Sequence, residues 1–231
     1  MPNYLAIDAS TEACSVALSI ENNVFSEFEL CPQSHSIVLL PMIDRLLNQA
    51  NVKLSALDGL AFGRGPGSFT GVRIGVGVAQ GLAFSADLPV VGVSTLQTMA
   101  QQAYEKYQQT EVIAAIDARM SEVYAGFYRL NQQGIMTAVV EETVLPPADL
   151  AQYLLKHTQK AYGVGSGWDA YQLELASLKS NEGTPDILFP DATALLTIAV
   201  KEFQTGNTVS AENAQPVYVR DTVSWKKLPG R

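Results

Sequence analysis

The chain is poor in charged residues, histidine and cysteine, and these shortages exclude several classes of function. Charged residues make up 16% of its 231 positions, against a usual share of roughly 25%. The 15 basic and 23 acidic residues give a net charge of −8 at pH 7, whereas a protein that binds nucleic acid by itself usually presents a basic face. The composition therefore argues against autonomous nucleic-acid binding. Its 47% share of hydrophobic residues also argues against a disordered chain.

Histidine and cysteine are too few and too scattered to form a recognisable metal-binding motif. His35 and His157 are far apart, and no H-x-x-x-H pattern occurs. Cys14 and Cys31 form no C-x-x-C pair, so we expect no catalytic zinc site. We interpret the cysteines as small core residues of a cytosolic protein, and His35 as a surface or capping residue near a helix start. No G-x-S-x-G motif nominates a nucleophile for a hydrolase such as a peptidase.

Long hydrophobic runs are also missing. No stretch of about 20 apolar residues is present, as a membrane-spanning helix would require. No cationic segment of the signal-peptide type precedes the first strand pattern. We therefore expect no association with a membrane and a location in the cytoplasm.

Charge is scarcest between residues 59 and 104. Only Arg64, Arg73 and Asp87 are charged in this segment. So long a segment with so few charges must be largely covered, either by the chain's own core or by another chain.

Hydrophobic patterning predicts an α/β protein with mixed sheets. Strands are expected on both sides of a polar turn within 4–20, and then at 24–30, 57–62 and 89–93. Helices are expected at 37–47, 69–86, 94–104, 148–156 and 192–204. The opening segment Leu5-Ala6-Ile7-Asp8-Ala9 recurs as Ala114-Ala115-Ile116-Asp117-Ala118, again followed by a polar turn and a strand. We therefore predict two related lobes, 1–108 and 109–231, each a mixed β-sheet flanked by helices, the second less regular.

Each copy of the repeat ends a buried strand with an aspartate, as in a nucleotide site. In the actin, sugar-kinase and Hsp70 group, such a carboxylate orients a hydrated metal while turn amides and hydroxyls bind phosphate. The alternative is that the two aspartates hydrogen-bond their own turns, and the turn at 117–120 has neither glycine nor a hydroxyl for phosphate. Both interpretations stay open here. The nucleotide candidates are Asp8, Ser10, Thr11, Asp117 and Gly165.

A glycine-rich segment at 63–71 leads into a helix that is rich in small residues. The segment lacks both the Gly-Lys-Ser/Thr of a phosphate-binding loop and the third glycine of a dinucleotide fingerprint. The helix, with Ser68 as its N-cap, contains Gly71, Gly75, Gly77 and Gly81. Each glycine costs a helix about 1 kcal/mol relative to alanine, which the close approach of another backbone can offset. Either the helix at 37–47 or another molecule is the neighbour, so we predict a protein interface here.

The same glycine-rich region closely resembles the TsaB (YeaZ) family, bacterial subunits needed to form threonylcarbamoyladenosine next to the tRNA anticodon. It carries the specific run Gly-Pro-Gly-Ser-Phe-Thr-Gly-Val-Arg at 65–73. The resemblance covers the whole chain, and its matching segments are 6–8, 79–83, 92–96, 115–124, 216–220 and 225–229.

This resemblance implies an actin-like fold of two lobes and a subunit that does not itself perform the chemistry. The catalytic paralogue TsaD holds a metal through a His-x-x-x-His pair just after a Gly-Val element. With that element aligned on Gly92-Val93, Thr95 and Met99 stand where the histidines would be. Neither side chain suits that metal, so no metal site is expected.

The resemblance further implies a supporting role in threonylcarbamoyl transfer to N6 of adenosine. The chain would stabilise and scaffold TsaD together with the ATPase TsaE, contact tRNA only through the complex, and form a homodimer when alone. It would require no cofactor. The alternative is an ATP-binding phosphotransferase or ATPase of the sugar-kinase and actin group that uses Asp8 and Asp117.

Two sets of residues complete these expectations. The basic residues of the C-terminal tail are either solvated or in contact with tRNA within the complex, and they are Arg220, Lys226, Lys227 and Arg231. The interface with TsaD, or with a second copy, is predicted on helices of the first lobe, at Leu39, Ile43, Phe69, Gly71, Val72, Gly75, Val78, Ala79 and Leu82.

Overall fold

The computed structural model describes residues 2–21, 23–181 and 185–220. Lys226, Lys227 and Arg231 of the predicted tail, and the matching segment 225–229, lie outside these residues. The strands are β1 (Tyr4–Asp8), β2 (Ala13–Ile20), β3 (Asn23–Leu30), β4 (Gly59–Gly63), β5 (Val90–Val93), β6 (Glu111–Asp117), β7 (Val123–Leu130), β8 (Met136–Ala138), β9 (Thr143–Leu145) and β10 (Tyr162–Val164). The α-helices are α1 (His35–Gln49), α2 (Phe69–Ala86), α3 (Thr95–Tyr107), α4 (Pro147–Leu154), α5 (Gly167–Ala170), α6 (Gln172–Leu175) and α7 (Ala192–Thr205).

The two sheets share one topology. In the first sheet, β1, β2 and β3 are antiparallel, and β4 and β5 extend the sheet in parallel with β1. In the second sheet, β6, β7 and β8 form the corresponding antiparallel unit, and β10 pairs with β6 as β4 pairs with β1. β9 pairs with β7 instead, and the described part of this sheet has no counterpart of β5. The predicted α/β fold of two related lobes, the second less regular, is confirmed.

Helices α3 and α7 each cover the sheet of the opposite sequence half. One face of the first sheet is covered by its own helices α1 and α2, and its other face is covered by α7, from the end of the chain. α3, from the first half, packs on β6, β7 and β8 of the second sheet. α3 and α7 also contact each other. The predicted boundary at 108/109 falls between the two sheets, but each half supplies a helix that covers the other half's sheet.

Strand β1 is buried on both faces. Leu5 and Ile7 belong to the core beneath α1 and α2, whereas Tyr4 and Ala6 belong to the core beneath α7, as the alternation of side chains along a strand requires. The Tyr4 ring stacks on Phe203 of α7 with 4.3 Å between ring centroids. A strand covered on both sides reads as a continuous apolar run, which is how the segment appears in the sequence.

The predicted bounds of helix α2 are confirmed. The Ser68 hydroxyl accepts a hydrogen bond from the Gly71 N–H at 3.3 Å, as an N-cap residue should. At the other end, Asp87 adopts a left-handed conformation with φ of 53° and ends the helix. Within the described ranges, no helix combines the length and apolar character needed to cross a membrane.

Candidate functional site

The turns after β1 and β6 face one cleft of about 300 Å³ between the two lobes. Ser10, Thr11 and Asp117 line this cleft, whereas Asp8 is buried, with an exposed fraction of 1%. The two halves of the repeat therefore bring most of the predicted nucleotide residues together.

The carboxylate of Asp8 is engaged by its own turn. Its Oδ1 accepts hydrogen bonds from the Ser10 N–H at 2.9 Å and from the Ser10 hydroxyl at 2.7 Å. The Ser10 hydroxyl in turn accepts a hydrogen bond from Thr95 Oγ1 at 2.9 Å. The Ser10 hydroxyl, which a nucleotide site would use to bind phosphate, is thus hydrogen-bonded within the protein. This is the arrangement expected if Asp8 serves only to hydrogen-bond its own turn.

The second carboxylate oxygen of Asp8 is buried without a hydrogen-bond partner among the described residues. A Cβ atom on Gly63 would lie 1.9 Å from this oxygen, so the absence of a side chain at residue 63 makes room for it. Burial raises the pKa of Asp8 to about 6, although the backbone and hydroxyl hydrogen bonds from Ser10 lower it. This carboxyl group therefore takes up its proton in weakly acidic solution.

Asp117 is engaged by Arg119, which follows it in the turn. Its Oδ1 accepts a hydrogen bond from the Arg119 N–H and its Oδ2 one from the Arg119 guanidinium, both at 3.0 Å. The same guanidinium forms an ion pair with Glu12 of the first lobe at 3.2 Å. Arg119 thus bridges the lobes at the point where a nucleotide site would need the Asp117 carboxylate for a hydrated metal.

Gly165 does not face the cleft. Its φ is +103°, and a Cβ atom there would lie 2.1 Å from the carbonyl oxygen of Ala115. Glycine is needed here for close packing on β6, and Gly165 is the one nucleotide candidate besides the buried Asp8 that does not line the cleft.

The two positions aligned with the metal ligands of the paralogue are filled by internal contacts. Thr95 and Met99 are both fully buried. Thr95 hydrogen-bonds Ser10, and Met99 belongs to the core between α3 and the second sheet.

The predicted interface residues separate into buried and accessible groups. Phe69 is exposed, and Val78 and Leu82 are half-buried. The remaining six lie inside the chain's own core or against the turn after β1, where a partner cannot contact them, because α1 and α2 use this side to cover the sheet. This corrects the prediction for Leu39, Ile43, Gly71, Val72, Gly75 and Ala79.

The open glycines of α2 are Gly77 and Gly81. A Cβ atom at either position would meet no atom of the described residues within 4 Å. On the outer surface of the same pair of helices, Ile37 is 72% exposed, Leu40 47% and Phe84 75%. We call these five residues the helix face. The sequence indicated a surface on α2 but did not separate these two glycines from Gly71 and Gly75.

Sequence reasoning missed a cluster formed by Cys14, Cys31 and His35. All three are buried, as predicted for the cysteines, and one ligand atom of each lies within 4.8 Å of the other two. The interpretation of His35 as a surface or capping residue is wrong, because its Nε2 lies 2.6 Å from the buried Thr11 carbonyl oxygen. The one signal in the sequence is the close spacing of Cys31 and His35, which does not indicate that Cys14 lies beside them.

Arg220, the described residue of the predicted basic tail, is held by the second lobe. Its guanidinium donates to the Ala118 carbonyl oxygen at 3.2 Å and forms an ion pair with Glu122. Its guanidinium is therefore engaged within the second lobe, at the border of the cleft.

Comparisons with known proteins agree with this architecture. The family model described as "TsaD: tRNA N6-adenosine threonylcarbamoyltransferase" matches residues 20–215. The tRNA threonylcarbamoyladenosine biosynthesis protein TsaB of Escherichia coli (strain K12) is 47% identical over 229 residues, covering 98% of each chain. The TsaB protein of Haemophilus influenzae is 44% identical over 236 residues, covering 98% of this chain and 97% of its own.

A solved structure extends the similarity to three dimensions. YeaZ from Pseudomonas aeruginosa superimposes with a TM-score of 0.84 at 46% identity, covering 94% of this chain and all of the other. A shorter match, 41% identical over 69 residues, relates the chain to the tRNA N6-adenosine threonylcarbamoyltransferase of Methylobacillus flagellatus. The chain therefore belongs to the TsaB (YeaZ) family of tRNA threonylcarbamoyladenosine biosynthesis proteins.

Proposed function

We propose that the chain is a non-catalytic subunit required for threonylcarbamoyl transfer to N6 of the adenosine next to the tRNA anticodon. It stabilises and scaffolds the catalytic subunit TsaD together with the ATPase TsaE, and it reaches tRNA only through that complex. It needs no cofactor of its own and works in the cytoplasm. The observation that carries this proposal is the exposed apolar helix face of α1 and α2.

The helix face has the properties of a contact surface. Ile37, Leu40 and Phe84 expose large apolar side chains on one pair of packed helices, and exposed apolar surface is where a partner chain gains most from burial. Gly77 and Gly81 leave the α2 backbone uncovered, so that a helix of a partner can approach closely. The segment between residues 59 and 104 also has few charges, which lowers the desolvation cost of covering it.

The residues of the cleft favour a non-catalytic role for this chain. Ser10 and Asp117 are engaged by protein groups, and Thr95 and Met99 are buried where the paralogue would hold a metal. We infer that TsaD supplies the metal and most of the tRNA surface. A chain with a net charge of −8 suits this division of labour.

The substitution Gly81→Leu tests the interface without disturbing the chain's own packing. Because no atom in the described part of the chain lies within 4 Å of a Cβ at this position, the variant should fold with an unchanged or higher melting temperature. Its leucine side chain should hold a partner helix away, so we expect at least a tenfold weaker association with purified TsaD and with a second copy. Gel filtration and calorimetry measure both.

Gln204→Leu, on the exposed side of α7, is the matched control, since it adds the same side chain to a helix outside the proposed interface. It should leave association unchanged. Undiminished binding of TsaD by Gly81→Leu would contradict the interface. Threonylcarbamoyl transfer by the chain alone, or full transfer by TsaD without it, would contradict the function.

One observation favours the alternative, an ATP-binding enzyme of the sugar-kinase and actin group. Asp8 Oδ2 and the Thr11 hydroxyl are buried beside or near the cleft without partners among the described residues, and bound groups commonly satisfy such atoms. Calorimetry with ATP and Mg²⁺ decides the matter. Binding that is lost in Asp117→Asn would support the enzyme, and no heat at millimolar ATP would remove it.

A further inference from the structure

Three side chains of metal-ligand type converge in the first lobe, apart from the cleft. Cys14 lies in β2, Cys31 follows β3, and His35 begins α1. One ligand atom of each lies within 4.8 Å of the other two. Their exposed fractions are 0%, 5% and 7% respectively, so the cluster is enclosed but its edge at Cys31 and His35 reaches solvent.

The strand register favours a bridging metal ion over a disulfide. Cys14 lies opposite Glu29 in the β2–β3 ladder, and the Cys31 N–H donates to the Glu12 carbonyl. The two cysteines are therefore diagonal neighbours on one face of the sheet. Diagonal pairs have Cα atoms about 7–8 Å apart, beyond the roughly 4.4–6.8 Å that a disulfide requires.

The observed separations are close to those of a zinc site. Zn–S bonds of about 2.3 Å and Zn–N bonds of about 2.0–2.1 Å in a tetrahedron hold neighbouring ligand atoms about 3.5–3.8 Å apart. Atoms that all lie within 4.8 Å of one another therefore need to move by only about 1 Å to coordinate one ion.

The hydrogen bond made by His35 leaves its other ring nitrogen for a metal ion. Its Nε2 donates to the Thr11 carbonyl at 2.6 Å, which leaves the lone pair on Nδ1. A ligating imidazole commonly donates its other N–H to a backbone carbonyl in this way. The Ser34 N–H bonds the Cys31 carbonyl at 2.9 Å, with Gln33 at φ 64°, and this turn brings His35 back beside Cys31.

Charge and softness select the ion. Two thiolates and a neutral imidazole around a divalent cation carry no net charge, which suits an enclosed position. Thiolates favour Zn²⁺ over Mg²⁺ or Ca²⁺.

We propose that Cys14, Cys31 and His35 bind one Zn²⁺ ion, with water in the fourth position. As each Zn–S bond forms, the corresponding S–H bond breaks and its proton passes to solvent. The ion would connect β2, the end of β3 and the start of α1, and this link between three elements should stabilise the folded first lobe. The site does not depend on the function proposed above.

Zinc and cobalt titrations of the full, reduced chain test this site. Elemental analysis after dialysis should find one Zn²⁺ per chain, and Co²⁺ should give a thiolate-to-cobalt charge-transfer band. Cys31→Ser and His35→Gln should each weaken Zn²⁺ binding at least about tenfold, the loss that even an outer partner of a ligand produces. Chelator should lower the melting temperature of the wild type but not of these variants.

His157→Gln is the matched control, because His157 contacts the Tyr153 ring and is not part of the cluster. It should bind Zn²⁺ like the wild type. Equal loss in His157→Gln, no Zn²⁺ on the folded wild type, or a Cys14–Cys31 disulfide in place of free thiols under reducing conditions would each overturn the site. Should a variant fail to fold, absence of the cobalt band in the wild type decides the question by itself.

Discussion

At the scale of single residues, burial sets the chemistry of the turn after β1. The Asp8 carboxyl receives two hydrogen bonds on one oxygen and none on the other from the residues that the structure describes, and burial outweighs these bonds in raising its pKa to about 6. The unfolded chain has an aspartate pKa of 3.8. Between these two values the folded protein binds more protons than the unfolded chain.

Stability should therefore fall as pH rises through this window. Because the folded pKa is raised, Asp8 lowers the free energy of unfolding progressively from pH about 4 to about 6, by about 3 kcal/mol in all. In Asp8→Asn this dependence is absent. The stability of the variant relative to the wild type should therefore increase by about 2–3 kcal/mol between pH about 4 and pH about 8.

Urea unfolding of both proteins across this pH range measures the difference between their free energies of unfolding. Any destabilisation by the asparagine itself is the same at every pH, so it does not affect how this difference changes with pH. Asp44→Asn, on the exposed side of α1, removes the same charge at the surface and is the control. A difference between wild type and Asp8→Asn that stays constant with pH would contradict the assignment.

At the scale of elements, α2 has glycines of two different kinds. Gly71 packs so closely on the turn after β1 that a Cβ atom would lie 2.2 Å from the Ala9 carbonyl oxygen. At Gly81 a Cβ atom would have no neighbour within 4 Å among residues 2–21, 23–181 and 185–220, so this glycine lowers helix propensity and gains no close packing from them. Such a glycine can instead favour association with another chain, because it lets that chain approach the helix backbone closely.

Alanine at these two positions should therefore have opposite effects. Gly81→Ala should raise the free energy of unfolding by up to about 1 kcal/mol, the difference in helix propensity. Gly71→Ala should lower it by about 1–3 kcal/mol, because a backbone oxygen cannot move aside as a flexible side chain can. Thermal and urea unfolding measure both, and a similar effect of the two substitutions would show that the helix does not pack as described.

Elements were predictable where the local pattern decides them. Ser68 and the apolar spacing fix the start of α2, and the repeated strand-aspartate pattern anticipates the matching topology of the sheets. The site was less predictable, because it depends on contacts between distant segments. No local signal indicates that Arg119 engages Asp117, that Gly165 packs on Ala115, or that Cys14 lies beside His35. Helical spacing also identifies an apolar side without indicating whether a sheet or a partner covers it.

At the scale of the whole molecule, the lobes are joined by their exchanged helices. The face of the first sheet formed by Tyr4 and Ala6 is covered by Leu195 and Ile198 of α7, whereas Leu96 and Met99 of α3 cover part of the second sheet. Neither sequence half contains the whole of its own core.

The fragments 1–108 and 109–231 should therefore fail to fold separately. Each fragment lacks a helix that buries one face of its sheet. Each large apolar side chain lost from a core costs about 2–5 kcal/mol, so the loss of several exceeds the usual free energy of unfolding of a domain. We expect no cooperative thermal transition from either fragment, and recovery of one transition when the two are mixed. A cooperative transition from 1–108 alone would contradict this interdependence.

The exchange of helices also constrains the order of events during synthesis. The first sheet has all its strands once Val93 is made, but the helix that covers its second face ends only at Thr205. At about 5–20 residues per second, the ribosome needs on the order of 10 s to make the intervening segment. During that time the nascent first lobe keeps an apolar sheet face open to water or to a chaperone. If the ribosome stalls before residue 192, the nascent first lobe has all its strands but lacks α7, the helix that covers the second face of its sheet.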